Sequence, residues 1–273
     1  RGGASLMRLT IIGATGSMSG PVSPASCYLV QCPGLDPLTG ELRTWSIVLE
    51  MGPGSFGALW RHIDPRLIDA LVLSHTHADH MGDIISLQVF RRWGPGSDLE
   101  PLPLAGPVGT LERIRQIDGT RLPDTYEGEF DIRTVRAGQS YRIGPMTLTP
   151  FPGIHTVESF GTRIVGPSDS SPSETVSMFF TGDTDEAPAI LEGARGVDLL
   201  LTEVGFTRAD TVRGIHMDGV RAGRLAARAG VSRLVATHIQ PWTDLKVVEA
   251  ELREHWAGPL DFAMSQKVFT VGQ

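Results

Sequence analysis

No stretch of the sequence reaches the roughly 18 consecutive apolar residues that a membrane-crossing helix requires, so no segment is read as a transmembrane span. The opening RGGASLMRLTIIG also lacks the apolar centre of a secretory signal. Met7 reads as an initiator, which leaves residues 1–6 as a non-native remnant or a disordered N-terminus, and the cytoplasm is the expected compartment. Cysteine is scarce. Cys27 and Cys32 are the only two, and their spacing matches neither a zinc finger nor a redox pair. A reduced compartment and two packed or loop thiols are the expectation. Lys/Arg-rich stretches are missing as well. With 24 basic against 31 acidic side chains the net charge is −7, which argues against neutralising nucleic-acid phosphates as the main task.

What remains is an ordinary globular balance, 41% apolar and 20% charged. A chain of 273 residues suits one layered α/β unit, taken here as residues 7–273. Leu9–Ile12, Tyr28–Gln31, Ile47–Met51 and Ala70–Leu73 read as strands, Leu59–His62 and Ile84–Trp93 as helices, and Gly94–Pro107 as a Pro/Gly-rich connection. Tyr141–Phe151 predicts a hairpin turning at Gly144–Pro145. Thr162–Val165 and Val176–Thr181 are expected strands around the polar loop Gly166–Ser173. Val197–Thr202 and Leu234–Thr237 are further apolar strands. Between them Asp218 and Gly230 bracket a helix. Asp261–Val271 closes the chain with strand character. Two sheets faced by helices fit this pattern better than one parallel sheet.

Three of the eight histidines fall within SHTHADHMGD, directly after an apolar strand. Such a cluster is an exposed polar loop, a pH-sensitive patch, or half of a metal site. His75 and His77 alternate on extended backbone, so their imidazoles share a direction. Asp79 and His80 follow where the chain turns into a helix. A zinc site needs about four ligands at roughly 2.0–2.2 Å, and four candidates in one loop cannot all reach one ion, so two ions completed from elsewhere is the better geometry. Completing residues stand after other strands: His155 in PGIHTVESFG, Asp183 in FFTGDTDE and His238 in LVATHIQPW. Taken singly, each has a plain structural reading as a bonded core histidine or a turn aspartate. His62 and His255 read as helical surface residues.

Taken together, HTHADH, His155, TGDT and ATHIQPW resemble the metallo-β-lactamase superfamily over nearly the whole chain. The resemblance implies a four-layer αββα sandwich with a two-ion site on one edge. His75, His77 and His155 would hold the first ion; Asp79, His80 and His238 the second; Asp183 would bridge them. The cofactors implied are two divalent ions, zinc foremost, with manganese or iron as alternatives. Such a pair, about 3.5–4 Å apart, activates a bridging hydroxide near neutral pH. Hydrolysis follows from this; the bond cut does not.

An acid ending the next strand, Glu203, and a histidine opening the next helix, His216, are similar to the ribonuclease Z-like branch, in which such a pair relays a proton to the leaving oxygen. The competing reading makes His216 a residue before a cap and Glu203 a surface acid. The branch resemblance thus implies Asp79, His216 and Glu203 as catalytic. The transfer-RNA enzymes of that branch carry a long RNA-gripping arm. Here only 27 residues separate His155 from Asp183, and no basic stretch replaces the arm. GATGSMSGPVSPASCYLV, ESFGTRI and ATHIQPWT narrow the resemblance to actinobacterial atypical cyclic AMP phosphodiesterases. That implies a small phosphodiester substrate, with Phe160 or Trp242 to stack a base and Arg163 to meet phosphate. A transfer-RNA ribonuclease, a lactonase-type ester hydrolase and a metal-bound scaffold are the other readings. No membrane partner is expected, nucleic acid is the disfavoured partner, and a homodimer is among the assemblies anticipated. One departure is Glu50, in SIVLEMGPG, where the family has aspartate; a longer acid supporting His75 or its neighbours must reach them differently.

Overall fold

The computed structural model describes residues 7–120, 122–167 and 174–272. The expectation for residues 1–6 lies outside them, as does most of the polar loop Gly166–Ser173. The chain begins with three antiparallel strands, β1 (Arg8–Gly13), β2 (Cys27–Leu35) and β3 (Leu42–Leu49). It then adds β4 (Ala70–Val72), β5 (Leu102–Gly106) and β6 (Phe130–Thr134) in parallel. The second half repeats the plan. The strands β7 (Tyr141–Ile143), β8 (Met146–Pro152), β9 (Phe160–Pro167) and β10 (Thr175–Phe180) are antiparallel. After them β11 (Leu199–Glu203), β12 (Arg233–Thr237) and β13 (Leu260–Phe262) run parallel. Finally β14 (Val268–Thr270) crosses back and pairs antiparallel with β1. Among the described residues this makes two seven-stranded sheets.

Side-chain alternation explains why so many of these strands are apolar throughout. On β10, Met178 and Phe180 face the other sheet while Phe179 faces the helices; on β11, Leu199 and Leu201 face inward and Leu200 outward. The helices α1 (Ser55–His62), α3 (Ile84–Arg92) and α4 (Thr110–Asp118) cover the first sheet; the four-residue α2 (Ala78–Met81) precedes α3. The helices α5 (Pro188–Ala194), α6 (Gly219–Ala229) and α7 (Leu245–Arg253) cover the second. The result is the expected four-layer αββα sandwich. Asp218 caps α6 by accepting the Arg221 N–H, and Gly230 ends it at φ 65°.

Two expectations are corrected. The connection Gly94–Pro107 contains β5, because the buried Leu102, Leu104 and Ala105 outweigh the prolines around them. The closing stretch Asp261–Val271 is not one strand but β13 and β14, in different sheets, with Gln266 turning between them at φ 73°. The carboxyl ends of β3, β4, β8, β10, β11 and β12 carry Glu50, the seven expected donors and Glu203, and His216 lies in the loop after β11.

Candidate metal centre

Seven donors from the expected positions meet at these strand ends. His77 Nδ1 lies 3.1 Å from His75 Nε2 and 3.2 Å from His155 Nε2. Beside this trio, His80 Nε2 is 3.0 Å from Asp79 Oδ2 and 3.2 Å from His238 Nε2. Asp183 Oδ2 lies between the groups, 3.1 Å from His80 Nε2, 3.7 Å from His75 Nε2 and 3.8 Å from His155 Nε2. Its other oxygen is 3.4 Å from His238 Nε2. Among the described residues four overlapping groups are close enough to hold a metal ion: His75, His77 and His155; Asp79, His80, Asp183 and His238; Glu50, His75 and His80; and His155, Asp183 and His216. The first two take in all seven expected donors.

Most of the rings are aimed from behind. His155 Nδ1 donates to Ile215 O at 2.8 Å. His75 Nδ1 donates to Ser74 Oγ, and that hydroxyl donates to Glu50 Oε2. Glu50 also accepts the Ser74 N–H and the Nδ1 proton of His80. The longer acid therefore serves two imidazoles at once, one directly and one through Ser74, a residue that sequence patterning does not single out. Such outer contacts fix the tautomer and turn Nε2 toward the cluster. Glu50 and His238 hold left-handed backbone, φ 64° and 57°, strained positions of the kind that gather at functional sites. Gly16 lies against His238, where an added Cβ would meet the His238 carbonyl oxygen at 2.3 Å.

The electrostatics suit cations. Burial, and then repulsion among the rings, holds His75 well below the ordinary imidazole range; burial followed by His155 lowers His77, and burial lowers His155 too. Neutral imidazoles keep a lone pair for a metal. His80 goes the other way: burial opposes its charge, but Asp183, Glu50 and Asp79 outweigh burial and raise it well above that range. Burial likewise works against ionised Asp79 and Asp183, while His80 and His238 hold both below the usual carboxylate range. Three carboxylates around one buried ring, with no Lys or Arg among the donors, describe a negative pocket that positive ions would balance. His238 Nδ1 is buried without a hydrogen-bond partner.

Next to the cluster, His216 Nδ1 is bonded to Glu203 Oε1 at 2.7 Å and lies 4.0 Å from Asp183 Oδ2. Glu203 also accepts N–H groups from Thr184, Gly205 and Met217, so it is buried and not a surface acid. Burial disfavours the His216 charge, but Glu203 outweighs it and the imidazole is pushed up to about 9.

Two of the three expected substrate contacts, Phe160 and Arg163, are corrected. Phe160 is buried in the core between the sheets and stacks no base. Arg163 donates to the carbonyl oxygens of Gly193 and Arg195 at the end of α5, away from the cluster. Trp242 is exposed. His62 and His255 are exposed, as expected.

A family model described as the beta-lactamase superfamily domain matches residues 46–239, a span holding every residue of the cluster. The chain belongs to the metallo-β-lactamase superfamily. It is a metal-dependent hydrolase of that superfamily. Among its relatives, uncharacterized protein ML1173 of Mycobacterium leprae is 36% identical over 273 residues, covering 97% of this chain and 89% of that protein. The probable metallo-hydrolase YhfI of Bacillus subtilis is 26% identical, covering 95% and 98%. The crystal structure of YhfI matches with a TM-score of 0.82 at 25% identity, over 97% of this chain and 99% of that one. A ribonuclease Z of Myxococcus xanthus is 25% identical, covering 95% and 96%. Among the described residues no helix is long and apolar enough to cross a membrane.

Proposed function

We propose that this metallo-β-lactamase superfamily member is a phosphodiesterase for small cyclic nucleotides, with 3′,5′-cyclic AMP as its first substrate. The observation that carries the reading is the buried Glu203–His216 pair beside the donor cluster. A phosphodiester has a poor alkoxide leaving group and needs a proton donor, whereas a lactone does not. His75, His77 and His155 would hold one divalent ion, Asp79, His80 and His238 would hold the other, and Asp183 would serve both. Zinc suits these donors, with manganese and iron the alternatives. When bound, the ions acidify water and withdraw charge from the phosphoryl oxygens.

The chain's own residues do the rest. Asp79 has the most open carboxylate of the cluster, 19% exposed against 4% for Asp183, and takes the proton of the attacking water as the water oxygen bonds to phosphorus. As the phosphorus–oxygen bond to the leaving group breaks, its electron pair stays on that oxygen, which takes the His216 Nε2 proton. Glu203 fixes the tautomer through Nδ1 and stabilises the charged ring. A phosphomonoester and an alcohol result, on one molecule when the substrate is cyclic.

A small substrate suits the short path from His155 to Asp183, which β9 and β10 largely occupy. The segments GATGSMSGPVSPAS and THIQPWT, on which the narrower resemblance rests, meet beside His238: Thr15 bridges to both Ala25 and Ile239, and Gly16 N–H donates to Ile239 O. Transfer-RNA processing is the second reading, favoured by the near full-length match to the Myxococcus ribonuclease Z. The test is metal content by elemental analysis, then turnover of cyclic AMP, a precursor transfer RNA and a lactone. Cyclic AMP turnover is expected. Lactone turnover that survives His216→Ala would end the reading, and RNA cleavage without cyclic AMP turnover would install the second.

A further inference from the structure

His216 lies in a segment without regular structure between β11 and α6, so its ring is aimed through its neighbours. The carbonyl oxygen of His216 accepts a hydrogen bond from Arg221 Nη2 at 3.1 Å. The same guanidinium pairs with Asp185 Oδ1 through Nη1, while its Nε lies 3.3 Å from Asp218 Oδ2 without a hydrogen bond to it. Asp185 accepts the Gly214 N–H at 2.7 Å, and its own N–H donates to Ile154 O at 2.8 Å, next to His155. The chain is thus pinned on both sides of the ring, at Gly214 before it and at the His216 carbonyl after it.

Arg221 is only 6% exposed, and a buried arginine requires a compensating role. The helix does not supply one. Asp218 already caps α6, and a cation in the first turn opposes the helix dipole. The hydrogen bonds of the side chain go to the His216 carbonyl and to Asp185, the acid that holds the loop at Gly214; Asp218 beside it belongs to the cap of α6.

We infer that Arg221 is a positioning residue, which sets His216 Nε2 against the departing oxygen by holding the loop at its carbonyl and, through Asp185, at Gly214. The inference rests on His216 as the proton donor. Lysine offers one point charge and cannot span the His216 carbonyl and the Asp185 carboxylate as the planar fork does. The side chain lines a polar cavity of about 470 Å³ with Asp185, Arg208 and Arg224, so a shorter residue leaves space that water can fill.

The test compares Arg221→Met, Arg221→Lys and His216→Ala at equal metal content on two probes, methyl p-nitrophenyl phosphate and methyl phenyl phosphate. The nitrophenolate departs unaided, and the phenolate gains more from a proton. General acids contribute roughly 10²–10⁴-fold, so His216→Ala should lose far more kcat on the phenyl ester than on the nitrophenyl ester. Arg221→Met should show the same skew, on the order of tenfold in the kcat ratio, with KM little changed and Arg221→Lys between it and the wild type. If both Arg221 variants lower the two probes equally, or not at all, while His216→Ala is skewed, the positioning role is wrong and the proton donor stands. If His216→Ala shows no skew, the donor assignment fails and the inference with it. Should Arg221→Met not fold, Arg221→Lys alone decides, on the same criterion.

Discussion

His216 Nδ1 lies 2.7 Å from Glu203 Oε1, and that carboxylate is also bound by three backbone N–H groups, so the imidazole partner is a fixed charge that cannot turn away. In metal-free protein His216 should titrate about 9. Because the folded value is raised above the ordinary 6.5, the pair stabilises the fold fully below about 6.5, and that contribution fades as pH rises through about 9. Glu203→Gln should return the midpoint toward the ordinary value, read by NMR titration of the ring, and cost roughly 3 kcal/mol at neutral pH. An unchanged midpoint would show that Glu203 is not the cause.

Asp183 touches both donor groups through one oxygen. Asp183→Asn keeps the shape and removes the charge. It should weaken metal retention by more than the roughly 10–100-fold that losing an outer supporting group costs. His77→Ala should spare the Asp79, His80 and His238 group. Elemental analysis after dialysis separates the two, and equal losses would argue against a shared carboxylate.

Glu50 reaches His80 directly and His75 through Ser74. The shorter Glu50→Asp should break part of this set and lower metal affinity by about tenfold or more, measured by competition with a chelating dye. Unchanged affinity would mean the longer side chain is incidental.

Removing metal should also lower the melting temperature, since the buried carboxylates then lack their counter-ions. A ligand at 100 times its Kd stabilises by about 2.7 kcal/mol through mass action alone. Thermal scans with and without chelator check this, and coincident curves would contradict it.

Sequence patterning reached the donor set because each donor follows an apolar strand, and the strand ends are marked by the switch to His, Asp and Gly. It reached α6 because Asp218 and Gly230 supply both caps. It missed β5, where Pro101 and Pro103 mask a buried strand, and read two closing strands as one because only the five residues 263–267, with Gln266 in left-handed backbone, separate them. The misplaced substrate contacts have one cause. On β9, alternation sends Phe160 and Ile164 between the sheets and Arg163 toward α5, and a short motif does not reveal which face a residue takes. Arg221 went unread because its partner Asp185 is 36 residues away in the chain.

The most direct measurement is the initial rate of 3′,5′-cyclic AMP hydrolysis by metal-loaded protein and by His216→Ala at the same metal content. The expected result is adenosine monophosphate formed by the wild type and a loss of roughly 100-fold or more in the variant. No turnover by the metal-loaded wild type, or equal rates for the two proteins, would contradict the phosphodiesterase reading.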